Sequence, residues 1–465
     1  MVVVVNRTYD ELEIGDEARL SRRLSETDIA LFGAVSGDLN PAHFDAAFAK
    51  RTQLHDVAAH GMWSGALISA LLGTKLPGPG TIYVAQALDF VRPVRIGDEI
   101  VVSACVREKL NDRRVVLDCE CRNQHDAVVA KGAATVVAPR EKLRYEIEDA
   151  PQAVLHERGD RLNALIARAK AAPPLLAGVV HPVDPRSLDG ALAAAEAGIV
   201  KPVLIGPRAK IDAAAAALGA DLAGLDVVDA PHSHAAAEEA TRLAAEGRLE
   251  AIMKGALHTD ELMQAVVSRS GGLRTDRRVS HVYVIDTPAY DKLLFITDAA
   301  VNIDPDLDAK RDIIQNAIDL ARGLGVDAPK VAVLSAVETV YPKVRSTIDA
   351  AALCKMADRG QINGGVVDGP LAFDNAISTD AAETKGIISP VAGRADILVA
   401  PTLEAGNMIA KQLDYLAGAV AAGVVLGARV PVILTSRAEG RQSRLASSAA
   451  ASLFVAARRD GAPTA

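Results

Sequence analysis

The sequence predicts an antiparallel α+β unit followed by a larger, two-part α/β unit. Three observations carry this. Residues 82–138 are β-rich and broken by short turns. Beyond about residue 175, short apolar runs alternate with Ala-rich stretches of helical length. A charged stretch at residues 140–165 separates the two characters. The 465 residues, at roughly 150 per domain, make about three domain-sized units.

The elements follow in order. Val115, Leu117, Cys119 and Cys121 alternate with Val116, Asp118, Glu120 and Arg122, the period-two pattern of a half-buried strand. Runs 82–94, 99–108 and 127–138 have the same character, with turns at Asn111-Asp112 and Gln124-His125-Asp126. Four such strands predict an antiparallel meander, which needs cover on its apolar face. His60–Leu72 supplies a helix, with Leu67, Ile68, Leu71 and Leu72 at helical spacing and Gly73 as a stop. The charged run from Arg140 to Pro151 reads as a linker. The boundaries are therefore 1–140, a linker over 141–160, and 161–465. In the last part, strands are predicted at Pro202–Gly206, Ala251–Met253, Val282–Ile285, Val331–Leu334, Ile397–Ala400 and Pro431–Leu434. Such a largely parallel sheet binds ligands at the carboxyl ends of its strands.

Composition excludes several classes. Lys plus Arg is 51 and Asp plus Glu is 59, a net charge of −8. That is no general nucleic-acid binder. Four cysteines do not make a disulfide scaffold or a paired zinc-finger site, so no metal is expected. No apolar run is long enough to span a membrane, and the N-terminal Val2–Val5 is too short for a signal segment. A soluble, cytoplasmic protein is the expectation. No P-loop and no G-x-S-x-G elbow is present.

The segment Gly37-Asp38-Leu39-Asn40-Pro41-Ala42-His43 places a carboxylate and an imidazole within six residues. Pro41 keeps Asn40 extended and starts a turn, so the two can converge on one water and move its protons. The same residues also suit an Asx-turn and an N-cap with a surface histidine. Together with Ala59-His60-Gly61-Met62 and Tyr83–Asp98, the segment resembles the MaoC-like (R)-specific enoyl-CoA hydratases. That resemblance implies a hot-dog fold, a curved antiparallel sheet around a long helix, paired into dimers. It implies that Asp38 and His43 activate water for addition to a trans-2-enoyl thioester, with Asn40 orienting the pair. Ala42 stands where Leu is common. Addition of water builds enolate charge on the thioester oxygen, which needs a backbone N–H such as one at a helix start. Gly61 is the candidate donor, and His60 and Ser64 read as structural.

In the α/β part, Met253–Thr259, Asp298–Asp304, Asp368–Asp374, Ser389–Asn407 and Leu434–Arg437 each follow or contain a strand-like run. Together they resemble the phosphate acyltransferases, phosphotransacetylase and phosphotransbutyrylase, from about residue 165 onward. The resemblance implies two α/β subdomains, a cleft between them, dimers, and exchange of CoA for phosphate on an acyl group. It maps the catalytic Ser-Arg pair to Ser436 and Arg437. An Asp common seven residues after that Ser is Ser443 here, and Thr435-Ser436-Arg437-Ala438 looks closer to the butyryl branch. Phosphate is already a nucleophile near neutral pH and needs charge neutralisation and aim, which Arg provides. Arg437 is the expected phosphate ligand. Lys254, Thr259, Asn302 and Asn407 are further substrate-binding candidates.

The reading is a bifunctional acyl-CoA enzyme: a hydratase in residues 1–140 and a phosphate acyltransferase in 161–465. Its substrates are coenzyme A thioesters and inorganic phosphate or acyl phosphate, with no bound cofactor, no nucleic acid and no membrane. A homo-oligomer built from dimers is expected. Two alternatives stand beside it. The second part could be a non-catalytic acyl-CoA sensor or oligomerisation module, or the first could merely bind or hydrolyse thioesters.

Overall fold

The computed structural model describes residues 2–147, 159–269, 271–434, 440–459 and 461. The chain divides into two compact units, Met1–Leu155 and His156–Ala465.

The first unit holds strands β1 (Val2–Val5), β2 (Glu17–Arg23), β3 (Ile82–Phe90), β4 (Glu99–Lys109), β5 (Arg114–Arg122), β6 (Val128–Val137) and β7 (Arg144–Ile147). Its helices are α1 (Glu26–Ser36), α2 (Ala46–Ala49) and α3 (Gly61–Thr74). Five strands form one antiparallel sheet in the order β2-β4-β5-β6-β3. The expected meander holds for β4, β5 and β6. The expected place of β3 is corrected: it pairs with β6, not with β4. The connection over residues 91–98 crosses the sheet, and Arg95 on it binds the carbonyls of Leu54, Asp56 and Val57. That crossing fastens the segment that leads to α3.

Val115, Leu117, Cys119 and Cys121 face the core as their alternation predicts. Burial pushes the Cys119 thiol up to about 11 and that of Cys121 up to about 12. Trp63, Ile68, Leu71 and Leu72 of α3 pack against the sheet, each such side chain stabilising by about 1.5–3 kcal/mol. Gly73 does not stop the helix, which runs to Thr74. Gly73 takes helical backbone there, and the turn comes with Lys75 and Pro77. Residues 144–147, inside the segment read as linker, pair as β7 with β1.

The second unit holds β8 (Leu175–Val180), β9 (Val200–Gly206), β10 (Asp226–Asp229), β11 (Ala251–Lys254), β12 (Ser280–Asp286), β13 (Leu294–Thr297), β14 (Lys330–Leu334), β15 (Val366–Leu371), β16 (Ile397–Val399), β17 (Val420–Leu426) and β18 (Val432–Ile433). They form one eleven-stranded sheet in the order β10-β9-β8-β11-β18-β17-β12-β13-β16-β14-β15. The predicted strands all occur within it. The sheet has two parallel wings, β10 to β18 and β13 to β15. Between them β17 and β12 pair antiparallel with their neighbours. Following the pairings across, β13 runs opposite to β11. The carboxyl ends of the two wings therefore leave from opposite edges of the sheet. Small side chains allow close packing of the last helix, Arg441–Arg459, which buries Ala446, Ser447, Ala449, Ala450 and Ala451. Among the described residues no helix is long and apolar enough to cross a membrane.

A Cβ on Gly132 in β6 would lie 1.9 Å from the carbonyl oxygen of Ala87 in β3. Gly132→Ala is expected to cost about 3 kcal/mol. Gly73→Ala, whose added Cβ meets nothing within 4 Å, is expected to be neutral or to stabilise by up to about 1 kcal/mol. Chemical denaturation midpoints check both.

Candidate active sites

Helix α1 ends at Gly37, whose φ of 73° is left-handed. The chain then turns through Asp38 and Asn40. The Asp38 carboxylate accepts from the Asn40 amide at 3.2 Å, and the Asn40 side chain accepts from the Ala42 amide at 3.2 Å. The Asx-turn and cap anticipated from the sequence are therefore present, and Asn40 spends its side-chain oxygen on the turn Pro41–His43. The acid–base geometry coexists with them.

His43 is half-buried, with Nδ1 2.7 Å from the carbonyl of Ala58. A carbonyl only accepts, so Nδ1 carries the proton and Nε2 of the neutral ring carries the lone pair. Nε2 is then free to take a proton from water. Asp38 is exposed at the mouth. His60, read from the sequence as structural, joins them. It is 3% exposed, its Nε2 donates to the Asp38 carbonyl at 3.0 Å, and its ring stacks on His43 at 3.9 Å. Polar atoms of Asp38, His43 and His60 lie within 4.8 Å of one another. That spacing could admit an ion, but the stacked rings are tilted by only 32°. Their in-plane lone pairs run side by side instead of meeting at one point, as coordination requires.

Gly61 opens α3, and the first amides of a helix have no acceptor within it. The Phe90 ring lies 3.5 Å from where a Gly61 Cβ would be. Leu39, Phe44, Met62 and Phe90 are exposed apolar side chains on these same segments. An acid–base pair with apolar neighbours and a helix-start amide suits a substrate with an alkyl chain and a polarisable carbonyl.

In the second unit, Lys254 is buried at the end of β11. The Gly255 amide donates to the Val180 carbonyl at 2.9 Å, and a Cβ there would stand 2.2 Å from that oxygen. Only glycine lets the loop close so tightly on β8. Thr259 begins the helix Thr259–Val267. β18 lies beside β11 with Ile433 opposite Met253, so Leu434 follows it alongside Lys254. Ser436 and Arg437 lie outside the described residues.

Asn302 and Asn407 stand at the other edge of the sheet. The Asn302 amide donates to the Asp298 carboxylate at 2.6 Å and to the Val279 carbonyl at 2.8 Å, and its oxygen accepts from Arg278 Nε at 2.8 Å. Asp298, itself 2% exposed, also accepts from the amides of Ala300 and Val301. Asn407 donates to the Ala299 carbonyl at 3.1 Å. Both asparagines hold the 298–302 loop in shape. The structure brings Lys254 and Thr259 together at one edge and Asn302 and Asn407 together at the other. Ser443 is buried in the last helix, where its carbonyl accepts from Ser447 Oγ.

His281 was not singled out from the sequence. It lies buried in β12, its ring edge-on to Tyr283 at 4.4 Å. A Cβ on Gly423 would stand 2.9 Å from His281 Nε2 and 2.3 Å from the Leu434 carbonyl. The imidazole therefore sits close to Leu434, two residues before Ser436 in the sequence. A lone histidine in an apolar strand run was the available signal.

The fold defines a chain of two units, an antiparallel α+β unit with an Asp–His pair and an α/β unit built on one eleven-stranded sheet. Comparison with known proteins gives their families. The family model described as "Phosphate acetyl/butaryl transferase" matches residues 234–451, and that of the "MaoC like domain" matches residues 11–128. A phosphate acetyltransferase of Rhizobium meliloti is 60% identical over 299 residues, 64% of this chain and 95% of that protein. A phosphate butyryltransferase of Clostridium acetobutylicum is 40% identical, covering 63% of this chain and 97% of that protein. A branched-chain phosphotransacylase from Enterococcus faecalis V583, of known crystal structure, is 29% identical with a TM-score of 0.52, covering 60% of this chain and 99% of its own. The chain belongs to the phosphate acetyl/butyryltransferase family, and a MaoC-like domain precedes that part.

Burial pushes the His281 imidazole down to about 4, and the nearby Asp298 opposes this only in part. The same ring titrates near about 6.5 when unfolded. Between these values the unfolded chain binds the extra proton, so stability is lost as pH falls from about 6.5 towards 4. Denaturation midpoints of the second unit are expected to fall across that window, and those of His281→Gln to fall less.

Proposed function

We propose that the chain is a bifunctional acyl-CoA enzyme. The first unit hydrates a trans-2-enoyl-CoA reversibly to an (R)-3-hydroxyacyl-CoA. The second exchanges a short acyl group between CoA and phosphate. The observation that carries the first activity is the His43 tautomer set by the Ala58 carbonyl. The Asp38 carboxylate accepts one hydrogen of the water and orients it, Nε2 takes the other proton as the water oxygen bonds to C3 of the enoyl group, and the imidazolium then returns that proton to C2 as the enolate collapses. The charge that builds on the thioester oxygen meets the Gly61 amide at the start of α3. For the second activity, 60% identity to a phosphate acetyltransferase across 95% of that protein supports the reading. Arg437 neutralises and aims the phosphate, whose oxygen attacks the thioester carbon. Ser436 bonds the carbonyl oxygen, and CoA leaves as thiolate. Acetyl and butyryl groups are the acyl groups to try first.

We further place the enzyme in the cytoplasm as a homo-oligomer. β3 is an outer strand of its sheet and exposes Ile82, Val84 and Phe90, an apolar edge of the kind proteins cover.

Phosphate-dependent CoA release is expected with acetyl-CoA and butyryl-CoA, and Arg437→Ala is expected to lower it by about 100-fold. His43→Ala is expected to lower crotonyl-CoA hydration by about 100-fold or more and to leave CoA release unchanged. Hydration without any phosphate-dependent release would leave the second unit as an acyl-CoA-binding or assembly domain. Release without hydration would remove the hydratase assignment.

A further inference from the structure

We propose that His60 is the positioning residue of the Asp38/His43 pair. This rests on the hydratase reading of the first unit. The loop that carries the pair does not set their separation by itself. Its own bonds are local, from Asn40 and Ala42 to side chains two residues back. Two side-chain bonds tie it to the chain around residue 60: His43 Nδ1–H to the Ala58 carbonyl, and His60 Nε2–H to the Asp38 carbonyl, 22 residues apart, which is the one that holds the Asp38 end. Because that bond takes the main-chain oxygen, it holds the Asp38 backbone and leaves the carboxylate to face water.

The ring also fixes His43. One contact is the 3.9 Å stack on His43, and the others are Phe32 at 5.1 Å and the edge of Phe44 at 5.7 Å. Held among three rings, His60 cannot turn without breaking its bond to Asp38. The neighbouring chain does the rest: Ala58 binds His43 Nδ1 and Gly61 opens α3. Residues 58–61 thus hold the base, the acid and the helix-start amide in one frame.

The choice of residue points the same way. The surroundings are the rings of Phe32, His43 and Phe44, which would pack against an apolar aromatic side chain as well. Instead a histidine stands there with Nδ1 buried and without a hydrogen-bond partner. A buried unpaired nitrogen disfavours the folded state, so packing alone does not account for His60. The donor at Nε2 does.

The test uses the full-length chain with His60→Phe and His60→Gln. Phe keeps the ring and loses the donor, and Gln keeps an N–H donor and loses the ring. A packing role predicts that Phe is tolerated and Gln is not. The positioning role predicts the reverse. In His60→Phe, kcat for crotonyl-CoA hydration should fall by about 30-fold or more with KM changed by less than about threefold, while His60→Gln stays within about tenfold of wild type in kcat. Thermal unfolding and phosphate-dependent CoA release serve as controls for the fold of each unit. Full kcat in folded His60→Phe overturns the assignment. If His60→Phe does not fold, His60→Gln decides: kcat within about tenfold of wild type supports the role, and a loss as large as that of His43→Ala overturns it. A wild type that releases CoA but does not hydrate crotonyl-CoA overturns the hydratase reading itself, and this assignment with it.

Discussion

One hydrogen bond organises the first unit: His43 Nδ1 to the carbonyl of Ala58. A carbonyl has no proton to give, so the bond chooses the tautomer as well as the ring angle. The crossing strand connection supports it, since Ala59 donates to the Val94 carbonyl and Arg95 ties the carbonyls upstream. The His43 ring, carried on a short turn, is thereby referred to the sheet. The sheet and α3 bury the apolar side chains that keep this frame stiff, and the turn itself needs little stability of its own.

The second unit meets a different constraint. Its sheet changes direction at β17 and β12, so loops at strand ends are shared between two edges. Lys254 and Leu434 fall at one edge, and the Asp298–Asn302 loop falls at the other. The buried carboxylate of Asp298 acts on His281 from within the sheet. His281 in turn lies beside Gly423 and the Leu434 carbonyl. The two edges are therefore connected through β12, a strand whose residues are all buried.

What was legible in the sequence was local. Period-two alternation at 115–122 and the apolar runs of the second unit gave strands because burial on one or both faces imposes those patterns. The pairing partners were not legible. β3 joins β6 across about fifty residues, and β1 joins β7 across some 140, through charged residues that look like a linker. Nothing in Val2–Val5 names its partner. Asp38 and His43 were legible because they share one short segment. His60 was not, because its role depends on a bond to a main-chain oxygen that has no residue identity. Asn302 and Asn407 stood out as motif residues, but their amides serve the loop's own shape.

Buried polar atoms without partners give a second way to read such a chain. Among the described residues, four side-chain atoms are of this kind: Nδ1 of His60, His181 and His281, and Oδ1 of Asn375. Folding does not favour them, so each needs a reason. The three histidines are not scattered. His60 is at the Asp38/His43 pair. His181, with its left-handed φ of 56°, receives the Ala256 amide on the loop that follows Lys254. His281 lies beside Gly423 and the Leu434 carbonyl. In each case one buried ring nitrogen is left without a hydrogen-bond partner near residues that the motifs had already marked. Departures from local satisfaction concentrate where a sequence answers to chemistry as well as to stability. By that criterion the two units are built alike, each keeping a buried imidazole nitrogen without a hydrogen-bond partner beside residues of its sequence motifs.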